Sequence, residues 1–268
     1  MTIRDYDTFI FSHIPKCGGS SFRKYVIESC VASDIAPERV YAPGFNGIKN
    51  NKNISQLEAV ELKALRNIGL KVVADHSKFN VHRRYRLGMT KPFYYTIFRE
   101  PVARFVSHYN FFYYKMGYGN CKGVSLNDLD ESKRREIMTT LANLQVNYVA
   151  NNIKNPVNVD HYKLAVYNIE RHYACFGLLK DMEKSLDILD KYAPEWIQWK
   201  RKFPMENRNL GNKGKAEIKP EIIRQIQEIN EYDMRLYDFV EKLFYLRYQA
   251  YHQDTKYFTP HEVYVDNT

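Results

Sequence analysis

Residues 13–22 read His13-Ile14-Pro15-Lys16-Cys17-Gly18-Gly19-Ser20-Ser21-Phe22, and they follow at once on the apolar run Asp7-Thr8-Phe9-Ile10-Phe11-Ser12. A strand, a lysine-bearing glycine loop and a helix start in one stretch make an anion cradle. Gly18 and Gly19 let the backbone take positive φ and approach a ligand closely. Ser20 and Ser21 offer hydroxyls and a cap, and the helix N-terminus adds free N–H groups and a partial positive charge. Lys16 brings a full charge to the same place. A phosphate, phosphosulfate or sulfate is the expected guest. An ordinary Gly-Ser turn with a solvent lysine is the bland alternative, and the surrounding Pro-Lys, Ser-Ser and strand argue against it.

The loop is not a Walker A motif, which needs G-x-x-x-x-G-K-[ST] with lysine after the last glycine. Here Lys16 precedes the glycine pair, and no glycine stands five residues upstream of it.

The 268 residues suffice for one α/β domain with a sizeable core, and the expectation is a single domain over 1–268. A formal net charge of +9 points to anionic partners such as a nucleotide or a sulfated or carboxylated sugar. No long Lys/Arg run is present, which argues against a nucleic-acid tail. The 22 tyrosines are read mainly as core and sheet residues, with some free to stack on a sugar or an adenine. Cys17, Cys30, Cys121 and Cys175 have no CxxC or Cys/His metal spacing, so no metal is expected and reduced thiols are. Cys17 is the exception: a helix N-terminus and Lys16 should lower its pKa and make it reactive. The chain enters its first strand without an apolar signal segment, and no stretch of about 20 apolar residues is present. The expected location is the cytoplasm, or the Golgi lumen if an N-terminal anchor has been removed.

Along the chain, Phe9–Ser12, Lys71–Asp75, Phe93–Phe98 and Ala174–Leu178 read as strands. Helices are expected over about 20–31, about 102–114, much of 127–151, about 159–172 and about 181–192. Ser55-Gln56-Leu57-Glu58 reads as a capping box opening a further helix that stops at Gly69. Pro220 opens one long amphipathic helix to about Phe244. The order predicts an α/β fold, a parallel sheet flanked by helices. The loop at 13–21, His76 and Arg99 then all lie just past the C-terminal ends of strands, the edge at which open α/β sheets bind ligands.

Arg99 can grip a phosphate with a bidentate fork, or pair with Glu100 at the surface. Ser107, two turns into the next helix, either donates a second bond or bonds back to its own helix. Arg104 is a further contact or a solvated helix residue. His76 is suited to general-base work at a strand tip. His13 either orients the loop or serves as a buried backbone partner.

The stretch IPKCGGSSF resembles the 5′-phosphosulfate loop of sulfotransferases that use 3′-phosphoadenosine-5′-phosphosulfate, and TIFREPVARFVSHY resembles their 3′-phosphate motif. ADHSKF is similar to the segment carrying the catalytic histidine of the carbohydrate branch, which includes heparan sulfate 2-O- and 6-O-sulfotransferases. ACFGLLKDMEKSL and INEYDMRLYDFV look like its later helices, so the likeness covers roughly 8–244. The resemblance implies a P-loop-like sulfotransferase fold and a metal-free transfer of a sulfuryl group to a hydroxyl, expected on a saccharide. It implies that Lys16 stabilises the leaving group and that His76 is the base. Lys16, Cys17, Gly18, Gly19, Ser20, Ser21 and Phe22 would line the 5′ side, and Arg99 with Ser107 would hold the 3′-phosphate. Lys213 and Lys215 are candidates for a basic loop over the nucleotide, or for a plain surface loop. Cys17 departs from the Thr or Ala usual in the family. The rival readings are a P-loop-like kinase, which lacks a clear Mg²⁺-binding acid here, and a non-catalytic nucleotide-binding protein. The acceptor is not legible.

Overall fold

The computed structural model describes residues 5–43, 52–151, 156–200, 203 and 217–253. Strand β1 (Thr8–Ser12) is buried along its whole length and lies at the centre of a parallel sheet of order β2-β3-β1-β4. Its neighbours are β3 (Val72–Asp75) and β4 (Pro92–Tyr95), with β2 (Val40–Tyr41) outside β3. The TFIFS, VVAD and PFYY sequences are continuous rather than alternating, as expected of strands covered on both faces. Pairing places Phe9 opposite Val72, Ser12 opposite Asp75 and Phe11 opposite Tyr95. The C-terminal ends of β1 and β3 are therefore level, and both chains leave at one edge.

The run at 93–98, expected as one strand, is two. After β4 the chain steps aside at Thr96, and β5 (Ile97–Phe98) pairs with β6 (Gly177–Leu178) as a separate parallel ladder. Thr96 marks the step: its hydroxyl donates to Ser12 O at 2.7 Å, and its carbonyl accepts from Gly177 N–H at 2.8 Å. The fourth expected strand shrinks to those two residues of β6.

Helix α1 (Gly19–Ala32) follows the glycine loop and buries Phe22, Tyr25, Val26 and Cys30 against the sheet, the face its spacing predicts. Helix α2 (Ala59–Ile68) starts later than expected. Asn53 with Gln56 boxes a short 3₁₀ turn, and Glu58 with Glu61 boxes the helix proper, so the Ser55 box does not form. Gly69 ends α2 in the left-handed conformation, at φ 69°. A single turn, α3 (Val81–Arg84), leads to β4. Helix α4 (Pro101–His108) has Pro101 in its first turn, and the Glu100 carboxylate accepts the Val102 and Ala103 N–H groups. Glu100 is thus spent as a cap. A π-helical segment, Tyr109–Lys115, continues α4. Then come α5 (Glu131–Leu141), α6 (Leu144–Val149), α7 (Val159–His172) and α8 (Met182–Tyr192).

The expected long C-terminal helix is likewise two, α9 (Pro220–Ile229) and α10 (Glu231–His252), joined at Asn230. The Asn230 side chain bonds Ile226 O at 2.8 Å and accepts the Asn143 N–H at 3.0 Å, which holds the break. Helix α10 packs on α6, α7, α8 and β6, whereas α9 joins α4 and α5 around a second cluster that includes Phe105, Ile137, Leu141, Ile222 and Ile226.

An ion pair stands between these helices in the core. Arg104 and Asp233 are both fully buried, 4.0 Å apart, and Arg104 also donates to Leu141 O at 2.8 Å. Arg104 is therefore neither a solvated helix residue nor a ligand contact. Asp233 further accepts the N–H groups of Gln145 at 3.1 Å and Val146 at 2.8 Å, capping α6 from another helix. Burial pushes its carboxyl up, while Arg104 and those two donors oppose the shift. Replacing Asp233 with Ala would leave the Arg104 charge buried without its counter-ion. Urea denaturation of Asp233→Ala is expected to show a loss of about 3–5 kcal/mol, and a loss below about 1 kcal/mol would contradict that role.

Candidate functional site

The loop after β1 is folded on itself. Ile14 N–H reaches Ser12 O at 3.1 Å and Cys17 N–H reaches Ile14 O at 3.3 Å, with Lys16 at φ 68° and Gly18 at φ 80°. Gly18 is the residue before α1, and no side chain caps that helix. By helix geometry the first-turn N–H groups then have no acceptor within the helix, which leaves them for an outside anion. The glycines are needed for internal reasons as well. A Cβ on Gly19 would overlap the His13 ring, and one on Gly18 would come within 2.5 Å of Leu179.

His13 and His76 form a stacked pair, their ring centroids 4.0 Å apart. The His13 backbone N–H bonds Asp75 O at 2.9 Å, and His76 Nδ1 lies 2.8 Å from His13 O. A carbonyl oxygen can only accept, so the proton of neutral His76 sits on Nδ1 and the lone pair on Nε2. Burial lowers the His76 pKa, with Arg23 adding to the shift and the His13 carbonyl and Asp75 opposing it. His13 is depressed further, first by burial and then by His76, Arg23 and Lys16. Asp75 behind them is buried, with its carboxylate held by the Ile54 and Ser77 N–H groups at 2.9 Å each.

Arg99 is locked by a residue that the sequence does not advertise. Gln145 Oε1 accepts the Arg99 N–H at 2.9 Å and Gln145 Nε2 donates to Arg99 O at 2.9 Å, as a neighbouring strand would. The Arg99 guanidinium donates from Nη1 to Lys16 O at 3.0 Å, which joins it to the glycine loop. Gln145 Oε1 also accepts from Cys17 Sγ at 3.6 Å. The reactive-thiol expectation for Cys17 is overturned here. Cys17 is buried, and burial pushes its thiol up to about 12 despite the pull of Arg104 and Arg99. Its N–H is committed to Ile14, so Cys17 shapes the loop from the core side. Phe22 is also wholly buried, packed on Phe11 and Tyr95, and supports the loop from beneath.

The Lys16 ammonium stands 4.0 Å from the centroid of Phe111, on the π-helical segment. Ser20 is exposed, and Ser21 and Ser107 are half-buried. His108 beside Ser107 is held to about 3 by burial, then by Arg104, Lys16 and His76, which places it among the same charges. The structure thus gathers Lys16, Gly18, Gly19 and His76 at the C-terminal edge of the four-stranded sheet, and Arg99, just past β5 of the smaller ladder, joins them through its bond to Lys16 O. Lys213 and Lys215 lie outside the described residues.

Gln145, Asp233 and Phe111 are the additions. Gln145 sits in a mixed apolar and amide stretch, LANLQVN, with no spacing that marks it, whereas Phe111 belongs to the aromatic run YNFFYY, a visible signal with no obvious target.

A model of the sulfotransferase family matches residues 1–240, and the chain belongs to that family. It is 24% identical to heparan-sulfate 6-O-sulfotransferase 1 of Cricetulus griseus, over 91% of this chain and 68% of that protein. The proteins of the same name from Mus musculus and Homo sapiens are also 24% identical, with 91% of this chain and 67% of each covered. The chain is therefore a transferase whose donor carries sulfate. Among the described residues no helix is long and apolar enough to cross a membrane.

Cys17 is expected to resist iodoacetamide in the folded protein and to react only after denaturation. Peptide mass mapping after brief labelling checks this, and rapid native labelling would contradict the burial.

Proposed function

We propose that the chain moves a sulfuryl group from 3′-phosphoadenosine-5′-phosphosulfate to a hydroxyl of a saccharide, as one domain. The observation that carries this reading is the Nδ1–H bond from His76 to His13 O, which leaves Nε2 as a free base at the edge where Lys16 and the α1 N-terminus converge. The donor fits the residues: an uncapped helix start, a lysine and a guanidinium already bound to the same loop suit a doubly anionic nucleotide.

The roles are as follows. The first-turn N–H groups of α1, with Ser20 and Ser21, hold the 5′-phosphate, and Arg99 with Ser107 holds the 3′-phosphate. His76 Nε2 takes the proton of the acceptor hydroxyl. The freed oxygen lone pair forms the new S–O bond as the bond from sulfur to the bridging phosphate oxygen breaks. The electron pair stays on that oxygen, where Lys16 stabilises the growing charge. Positioning and electrostatics supply most of the catalysis, as in phosphoryl transfer. A saccharide acceptor is supported by the names of the heparan-sulfate relatives. Which sugar position receives the group is set by acceptor contacts, and no residue here is assigned to them.

Calorimetric titration tests the donor. 3′-Phosphoadenosine-5′-phosphate should bind tightly and ATP with Mg²⁺ weakly at the same salt. Binding of ATP with Mg²⁺ alone would replace this reading with a kinase. His76→Ala should lower kcat by about 10²–10⁴-fold while the product nucleotide still binds. An unchanged kcat would point to a non-catalytic binding protein.

The pH dependence has a definite sign. Because the His76 pKa lies below the ordinary 6.5, Nε2 is unprotonated at pH 7, and protonation on acidification removes the base. The acid limb of kcat/KM is expected below about pH 6.5. A limb above that value would contradict the buried environment of the imidazole.

A further inference from the structure

Phe111 is 39% exposed and joins neither hydrophobic cluster, although it belongs to the aromatic stretch that extends α4. Its ring carries Lys16 Nζ at 4.0 Å from the centroid and Lys115 Nζ at 5.9 Å. The ring is itself held. It stands edge-on to Phe112 at 4.9 Å and 84°, and Phe112 rests on His108 at 4.7 Å and Tyr118 at 5.5 Å. The backbone turn is part of the device. Met116 N–H bonds Phe111 O at 3.2 Å, five residues back. The wider turn aims Phe111 differently from an uninterrupted α-helix, and such turns often occur at functional sites.

A lysine stem is long and flexible, and ordering it during a reaction costs entropy. At Lys16 both ends are constrained. The backbone is left-handed at φ 68°, with its carbonyl bound by Arg99 Nη1, and the ammonium rests on the Phe111 face. A cation on a ring face is attracted by the ring quadrupole, yet weakly enough to be released to a stronger anion.

We propose that Phe111 is a positioning residue for Lys16: its ring holds the ammonium at the mouth of the glycine loop before the donor arrives, so that the charge is in place when the leaving oxygen develops its own. The inference rests on the leaving-group role given to Lys16 above, and adds to it a residue outside the loop that sets where the charge stands.

The test uses Phe111→Leu, which keeps an apolar side chain but has no ring, and Phe111→Tyr, which keeps the ring. After reductive ¹³C-methylation of the lysines, the Lys16 methyl signal is assigned by its absence in Lys16→Arg. It should be shifted upfield by the ring in the wild type and in Phe111→Tyr, and should return to the ordinary lysine position in Phe111→Leu. In the unmethylated proteins, transfer of labelled sulfate to heparan sulfate should show kcat about 3–10-fold lower in Phe111→Leu. Phe111→Tyr should match the wild type, and all three should bind 3′-phosphoadenosine-5′-phosphate alike. An unshifted Lys16 signal in the wild type, equal kcat for Phe111→Leu and the wild type, or a Phe111→Tyr protein as slow as Phe111→Leu would each overturn the proposal. A ring-shifted Lys16 signal in a wild type that transfers no sulfate to heparan sulfate would instead support the contact and overturn heparan sulfate as the acceptor.

Discussion

The Asp233 carboxylate is the group on which the site's geometry depends. It neutralises Arg104 in the core and accepts the two N–H groups that begin α6. That fixes the direction of Gln145, whose amide brackets the Arg99 backbone and takes the Cys17 thiol. Arg99 in turn binds the Lys16 carbonyl. A buried ion pair is weak evidence for stability, because desolvation offsets most of its attraction. Its effect here is on placement. An apolar pair of equal volume would fill the space and leave the start of α6 without acceptors and Gln145 without an anchor.

The second feature is a separation of charge states. Lys16, Arg23 and Arg99 make the sheet edge strongly basic, which suits an anionic nucleotide. Burial first, and then nearby cations (Arg23 at His13 and His76, Lys16 at His13 and His108), lower the pKa of the histidines beside it. In the proposed roles the fixed cations would bind and stabilise, while an uncharged imidazole remains able to accept a proton. A charged His76 would add to the positive field and could not serve as the base proposed for it. Its lowered pKa comes first from burial, and the basic surroundings add to it only through Arg23.

Elements whose periodicity is settled locally were legible in the sequence. Helices α1 and α7, strands β1 and β3, and the stop at Gly69 lie within a residue or two of expectation. The failures occur where distant groups intervene. The apolar period runs unbroken across Asn230, and α9 is divided from α10 by bonds of Asn230 to Ile226 and Asn143 and of Asn143 to Ile229 and Asp233. The β-rich run at 93–98 reads as one strand because nothing in it shows that Thr96 will bond Ser12 and hand the chain to β6. At the candidate site, the position of Lys16, His76 and Arg99 just past strand ends was legible, because β1, β3 and β5 end there. Gln145 was not, since its partners lie 46 and 128 residues away. Cys17 was misjudged because the rule that a helix N-terminus activates a thiol presumes access to water, and burial outweighs it.

Asp233 stands on α10, whereas the glycine loop is near the other end of the chain. A domain generally folds as a unit as it leaves the ribosome. The parallel strands and α1 emerge long before α10 is made, so the fold waits for that helix. Until that helix docks, the N-terminus of α6 has no carboxylate, Gln145 has no fixed orientation, and Arg99 is not bracketed. The glycine loop is therefore synthesised well before the contacts that orient its surroundings can form. If that loop binds the donor as proposed, competence to do so arrives late, when the C-terminal helix packs on α6.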